Sequence, residues 1–515
     1  MKEYNFPSVR ELLESRAEKS GDSIFLKFIR NGEVVSKTFK QVRDDSLAFC
    51  RMIRNETDEK LHIALIGETG YEYIISLTGI LISGNVSVPF SPETSVEEAT
   101  ALFKQADIDV LVYDAVFAEK AEKLKETCPF VKKFINIGDY KDMETIFEKY
   151  SADSEYALLS DYEVDKDACA AIIFTSGTTG KRKGVMLSTN SLVGNIMYKD
   201  LCEDVFCEGD VALSILPMYH TFCFTGDFIK NLKDGLQVCL NGNLRDLQKN
   251  LKIFEPKVVR VVPMIADTLL RRMKMLQTKN NLTNKEAVEE VFGKNIRQLI
   301  SGGAYLNPEL CEEYAEYGIF LRQGYGMTEA GCRISVPDEK IELSSVGRII
   351  EICDARVMNG EIQVNTPTVM MGYYKMPEET AEMFTEDGWL KTGDIGNITE
   401  DRQLFITGRV KNLIILSSGE NVSPEAIEKK FANYPLAKEV LVCGVGNRLV
   451  AEIFPDYELA EKQGVENIEA ELNNFVDSLN VKAKASHFIS EVVVRDTPLE
   501  KTGSGKIKRR ETIIK

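Results

Sequence analysis

Histidine and tryptophan are scarce in this chain: its 515 residues hold three histidines and one tryptophan. His62, His220 and His487 stand far apart, and none of the eleven cysteines falls in a CxxC pair, so no metal-ligand motif of the zinc-finger kind is written here. An odd, scattered cysteine set in a long chain predicts a reducing compartment, not a disulfide scaffold. The first twenty residues lack the apolar segment of a signal peptide, and a cytoplasmic location is expected. Positive charge is also short. Lys and Arg number 63 against 80 Asp and Glu, a formal net charge of −17, and such a field repels nucleic acid, so no nucleic-acid partner is expected.

Long apolar runs are nearly absent. Residues 73–92 carry no formal charge over 20 positions, about the length of a membrane span. Gly79, Gly84, Asn85 and Pro89 interrupt that stretch, which reads as a buried helix near 70–83 followed by a strand at 86–89. No integral membrane segment is expected, and at most weak peripheral association. Internal repeats and low-complexity linkers are missing too.

What is present is an ordinary globular balance, 44% hydrophobic and 28% charged, in a chain long enough for about three domains. Short apolar runs at 62–67, 109–114, 170–174, 211–216, 235–240, 258–262 and 296–300 alternate with helix-like segments, including Ser95 to Ala106 with acidic residues in its first turn. Strands so continuously apolar are covered on both faces, which predicts α/β layers. From about 345 the segments become shorter and turn-separated, predicting a twisted sheet or small barrel to about 408. The last stretch, 409–515, mixes strands and helices and is long enough for a separate α+β domain. The expected fold is therefore α/β: a large multi-subdomain body, 1–408, with a β-rich part, and a small mobile C-terminal domain, 409–515.

Four clusters carry candidate chemistry. Thr175-Ser176-Gly177-Thr178-Thr179-Gly180-Lys181-Arg182-Lys183-Gly184 follows a predicted strand. Its glycines permit tight turns, its backbone N–H groups can form an anion nest, and its cations can balance negative oxygens. The spacing is not that of a Walker A loop. Ser301-Gly302-Gly303-Ala304 and Gln323-Gly324-Tyr325-Gly326-Met327-Thr328-Glu329 combine glycines that admit a planar ring, a tyrosine that can stack on it, and a carboxylate suited to a hard divalent cation. Asp394 follows a glycine turn and could hold vicinal hydroxyls, while Arg409 could donate a forked pair to phosphate or ribose. Lys506 lies in the glycine loop that begins Thr502-Gly503-Ser504-Gly505. Singly, the clusters are also readable as a surface loop, a strand turn or a frayed basic tail.

Together, and in this order, they resemble the motifs of the adenylate-forming, or AMP-binding, superfamily across essentially the whole chain. The texture of GEIQVNTPTVMMGYYKMPEET and ITGRVKNLIILSSGENVSPEAIE is similar to that of bacterial medium- and long-chain fatty-acyl-CoA synthetases. The resemblance implies ATP, Mg²⁺ and coenzyme A as cofactor and co-substrates. Thr175, Ser176, Gly177, Thr178, Thr179, Gly180 and Lys183 would hold the phosphates. Gly303, Ala304 and Gly326 would line the adenine site, with Tyr325 stacked on the base. Thr328 would contact phosphate, Glu329 would bind Mg²⁺, and Asp394 with Arg409 would hold ribose. Lys411 would be the hinge, Gly419 would let pantetheine pass, and Lys506 would bridge the acid and the α-phosphate. His220 would line the acid pocket, against the plainer reading of a packed core histidine. Two positions depart from the pattern: Arg182 stands where proline is usual, and Thr189 where a histidine is frequent.

The implied reaction is ATP-dependent activation of a small-molecule carboxylic acid to an acyl-adenylate, with pyrophosphate released and the acyl group passed to coenzyme A. A fatty acid is favoured over an aromatic one. An acyl or aryl acid loaded onto a separate acyl carrier protein, or an aryl-CoA ligase, is the alternative. Amino-acid-activating relatives place an aspartate where this chain has Phe222, which disfavours an ammonium-bearing substrate, although Asp227 lies close by.

Overall fold

A computed structural model describes the chain except residues 1–4, 56–58, 139, 177–181, 199–205, 417–419, 482, 502–506, 508 and 510–515. The chain groups into two compact units. The first comprises Met1–Ala355, Val364–Leu390 and Glu400–Gln403; the second comprises Arg356–Gln363, Lys391–Thr399 and Leu404–Lys515.

Among the described residues, the first unit is built on two seven-stranded sheets. One runs in the order Phe320–Gln323, Gln298–Ser301, Val258–Val261, Val211–Ser214, Gln237–Leu240, Ile24–Arg30 and Glu33–Thr38. It is parallel up to its closing antiparallel hairpin. The other runs Gly372–Tyr373, Arg182–Ser188, Cys169–Ser176, Val86–Phe90, His62–Ile66, Val110–Tyr113 and Lys133–Asn136. Its first two strands are antiparallel to their neighbours. The central strands are buried along their length, Val86–Phe90 and Val258–Val261 at every residue, as continuous apolar runs require.

The charge-free stretch becomes the helix Tyr71–Ile82 and the strand Val86–Phe90. Every helix residue except Glu72 is buried, and Glu72 pairs with Arg30. Gly79 admits the neighbouring helix Phe39–Arg54, because a Cβ there would stand 2.8 Å from Phe49. No helix among the described residues is long and apolar enough to cross a membrane. The helix Val96–Gln105 begins where its signals predict: Ser95 accepts from the Glu98 N–H, and Glu97 and Glu98 stand in the first turn.

The second unit joins the β-rich segment to the C-terminal chain. A four-stranded sheet orders Asp354–Met358, Glu361–Asn365, Leu390–Ile398 and Leu404–Arg409. A three-stranded sheet of Ala437–Val445, Arg448–Pro455 and Ile489–Val494 packs with the helix Ile468–Val481 around Ile427, Phe431, Ile453, Leu472 and Val476. Ser423 Oγ donates to the Thr407 carbonyl at 2.8 Å and Lys429 Nζ to that of Ile406 at 2.8 Å. These bonds tie the start of the C-terminal chain to the strand Leu404–Arg409.

Candidate active site

The residues flanking the glycine-rich segment form an antiparallel pair of strands. Cys169–Ser176 pairs antiparallel with Arg182–Ser188, Thr175 facing Lys183 and Ser176 facing Arg182. Periodicity locates the first strand but not the second, whose polar start hides it. Gly177, Thr178, Thr179 and Gly180 lie outside the described residues. Thr175 Oγ1 donates to the Lys183 carbonyl at 3.5 Å. Gly184 must be small, since a Cβ would stand 2.9 Å from Ile172 and 3.3 Å from the Phe174 ring. Arg182, the departure from the usual proline, reaches Glu98 in a half-exposed pair at 2.7 Å.

The second cluster forms where the edge strands of the other sheet end. Ser301 and Gln323 are register neighbours. Beyond them, Gly302 is buried, while Gly303, at φ +79°, and Ala304 are exposed with open space over Gly303. Gln323 holds this loop by donating to the Ala304 carbonyl at 2.9 Å and accepting from the Leu306 N–H at 3.0 Å. Tyr325 donates its N–H to Ser335 Oγ at 3.2 Å. Gly326 admits no side chain, because a Cβ would lie 1.6 Å from the Cys332 carbonyl oxygen.

The short turn Thr328–Ala330 carries Thr328 and Glu329. Thr328 Oγ1 lies 3.4 Å from Thr221 Oγ1, which brings the His220 segment to the same place. His220 is exposed, its ring 4.7 Å from that of Tyr219, so it is not a packed core residue. Glu329 Oε1 accepts from the Tyr373 hydroxyl at 2.8 Å, and the Glu329 carbonyl from the Met370 N–H at 2.8 Å. Burial, and then the Glu329 charge, push the Tyr373 phenol well above its ordinary range. Lys183 Nζ sits 4.7 Å from the centre of the Tyr373 ring. Asn195, fully buried, donates to the carbonyls of Ala330 and Arg333 at 3.3 and 3.0 Å and so braces the turn. Local sequence patterns do not reveal these roles of Tyr373, Asn195 and Gln323.

The donor set around Glu329 suits a magnesium ion. Among the described residues no cation neutralises its carboxylate, and no group of three His, Cys, Asp or Glu side chains forms an all-protein cage. One or two hard carboxylates, with phosphate oxygens and water, are the usual ligands of magnesium.

Next to the turn, Phe222 stands against glycine backbone: a Cβ on Gly302 would approach its ring to 3.0 Å, and one on Gly226 to 3.5 Å. The chain then forms a one-turn π-helix, Phe224–Ile229. Asp227 within it is 2% exposed and already paired, accepting from Arg260 Nη1 at 2.7 Å and Asn231 Nδ2 at 2.7 Å. Burial beside Asp227 pushes the Cys223 thiol far up, and burial lifts Cys239 and Cys353 to about 12, so none of these is a thiolate near neutral pH.

In the second unit, Asp394 and Arg409 face each other on antiparallel strands as an ion pair at 3.0 Å, Asp394 buried and Arg409 half exposed. Gly393 takes φ +70° and donates its N–H to Glu361 Oε1 at 2.9 Å. Lys411 is exposed on the turn Val410–Asn412. Gly419 and Lys506 lie outside the described residues.

The profile of the AMP-binding enzyme family matches residues 13–374, and that of its C-terminal domain residues 411–515. The chain belongs to the AMP-binding enzyme family. It is similar to the chloroplastic long-chain-fatty-acid–[acyl-carrier-protein] ligase AEE15 of Arabidopsis thaliana, with 25% identity over 97% of this chain and 83% of that one. It is also similar to 4-coumarate-CoA ligase 1 of Narcissus pseudonarcissus, with 26% identity over 87% and 83%. In fold it matches ATP-bound MatB of Rhodopseudomonas palustris at a TM-score of 0.81, with 24% identity over 98% and 97%. The relatives' acids are mixed, so family membership does not extend to the narrower likeness to fatty-acyl-CoA synthetases.

Proposed function

We propose that this AMP-binding enzyme joins a carboxylic acid to a thiol in two steps. A carboxylate oxygen attacks the α-phosphorus of ATP and expels pyrophosphate, leaving an acyl-adenylate. The thiol of coenzyme A then attacks the acyl carbon and AMP departs. The observation that carries this reading is that Tyr373 touches both Lys183 of the strand Arg182–Ser188 and Glu329, whose neighbour on the same turn is Thr328. Lys183 and the hydroxyls meet the phosphate charge that builds in the first step. Magnesium, held by Glu329 together with the phosphates, would supply Lewis-acid neutralisation of that charge. In this reading Asp394 and Arg409 hold ribose, and Lys506 bridges the acid and the α-phosphate. Residues 409–515 act as a lid to the body of 1–408, turning about Lys411, with Gly419 lining the way for pantetheine.

The acid carries no α-ammonium, because Asp227, the carboxylate that lies close to Phe222 in sequence, is already neutralised by Arg260. An aryl acid is the reading best supported. Phe222 on its glycine backing offers a flat, apolar wall, and 4-coumarate is the acid in one relative's name. A fatty acid delivered to a carrier-protein thiol is the second reading, favoured by the name of the Arabidopsis relative.

ATP–pyrophosphate exchange across aryl, fatty and amino acids, followed by coenzyme A or a carrier protein, tests this. Exchange with aryl acids and thioester on adding coenzyme A is expected. Exchange with an amino acid alone would overturn the substrate argument, and no exchange with any acid would overturn the reaction.

A further inference from the structure

We propose that Tyr373 is a positioning residue that sets the Glu329 carboxylate for a divalent cation and Lys183 for the adjoining phosphate, a role that rests on the reading above. Glu329 sits on a single helical turn between Gly326 and Gly331. A turn so short does not orient its own side chains. Its carboxylate takes one hydrogen bond among the described residues, from the Tyr373 hydroxyl at 2.8 Å.

Tyr373 itself is firmly held. It is 4% exposed and lies on the edge strand Gly372–Tyr373, in register with Val185 of the strand Arg182–Ser188. Its N–H donates to Thr380 Oγ1 at 2.8 Å. The ring face carries Lys183 Nζ at 4.7 Å. One aromatic side chain thus takes a cation on its face and an anion at its hydroxyl. It spans the gap between the strand that supplies the lysine and the loop, from the other sheet, that supplies the glutamate. A tyrosine does this without neutralising either charge: the hydroxyl orients the carboxylate but leaves it anionic, and the ring holds the ammonium by its quadrupole, leaving its charge to meet phosphate.

The two contacts separate by substitution. Tyr373→Phe removes the hydroxyl and keeps the ring; Tyr373→Leu removes both. Calorimetric titration of ATP into each protein, once with EDTA and once with magnesium chloride, reads them apart. Tyr373→Phe is expected to bind metal-free ATP as wild type does, and to lose on the order of tenfold of the affinity gained with magnesium, the usual cost of losing a partner of a metal ligand. Tyr373→Leu is expected to lose affinity for metal-free ATP as well. Glu329→Gln, which keeps the shape and the tyrosine's partner, should abolish the magnesium gain, and adding Tyr373→Phe to it should change nothing further.

A Tyr373→Phe protein with the full magnesium gain, or with equal losses with and without metal, overturns the proposal while leaving the reaction standing. Wild-type protein that binds ATP no better with magnesium than with EDTA removes Glu329 as the metal ligand, and the reading of the site with it. Thermal unfolding of each variant shows whether the fold is retained, and the Glu329→Gln pair supplies the same test independently of Tyr373→Leu.

Discussion

Two carboxylates of the first unit are held in opposite ways. Asp227 is buried and meets a guanidinium and an amide, with Arg260 and Asn231 both at 2.7 Å from the same oxygen. Glu329 is only partly buried and receives one neutral hydroxyl among the described residues. In the first cluster the charge is answered inside the protein, so nothing is left to act on a ligand. In the second the anionic charge is oriented but not answered. Closeness to Phe222 in sequence makes Asp227 a candidate for function, and it is the partners that separate a carboxylate already answered from one that is not.

Removing a partner should break the comparison most visibly on the Asp227 side. Arg260→Ala leaves a buried carboxylate without its cation, and the first unit should lose about 3–5 kcal/mol of unfolding free energy in urea. Asp227→Asn with Arg260→Met should recover most of it; a single variant as stable as wild type would show that the pair is not buried as described. Glu329→Gln inverts the pattern. Pyrophosphate exchange is expected to fall by roughly a hundredfold or more, while stability changes by less than about 1 kcal/mol.

A pair of glycines sharpens the contrast between turn and open loop. Gly331 and Gly303 both take φ +79°, but a Cβ on Gly331 would stand 2.5 Å from the Thr368 carbonyl oxygen whereas Gly303 faces open space. Gly331→Ala should cost about 1–3 kcal/mol and disturb exchange through the displaced Glu329 turn. Gly303→Ala should cost about 1 kcal/mol. Equal losses would mean that backbone strain alone, and not packing on Thr368, governs the turn. The smallest effect is expected from Arg182→Ala, whose half-exposed pair with Glu98 should change the unfolding free energy by less than about 1 kcal/mol.

Most of the scaffold is legible in the amino-acid sequence. The apolar runs at 62–67, 109–114 and 258–262 form buried central strands because parallel strands covered on both faces leave an uninterrupted apolar signature. Ser95 and the acidic turn after it mark a helix start because capping is local chemistry. The strand Arg182–Ser188 is not legible, since its first residues are charged and its pairing with Cys169–Ser176 is what makes it a strand. The joining of residues 404–408 to the C-terminal chain is likewise hidden, because it depends on contacts such as Ser423 with Thr407 that have no periodic trace.

The motifs Thr175-Ser176, Gly303-Ala304, Thr328-Glu329 and Asp394 with Arg409 are readable along the chain because each is marked by particular residue types at short spacing or beside a glycine turn. Residue types and their order are thus enough to fix the family and its candidate nucleotide chemistry. Which charges are already answered is decided by the tertiary fold. Arg260 lies 33 positions from Asp227, and Tyr373 lies 44 positions from Glu329, so neither partner can be inferred from local pattern. A carboxylate's availability depends on what the fold brings within hydrogen-bond reach, and that is a property of three-dimensional neighbours, not of spacing along the chain.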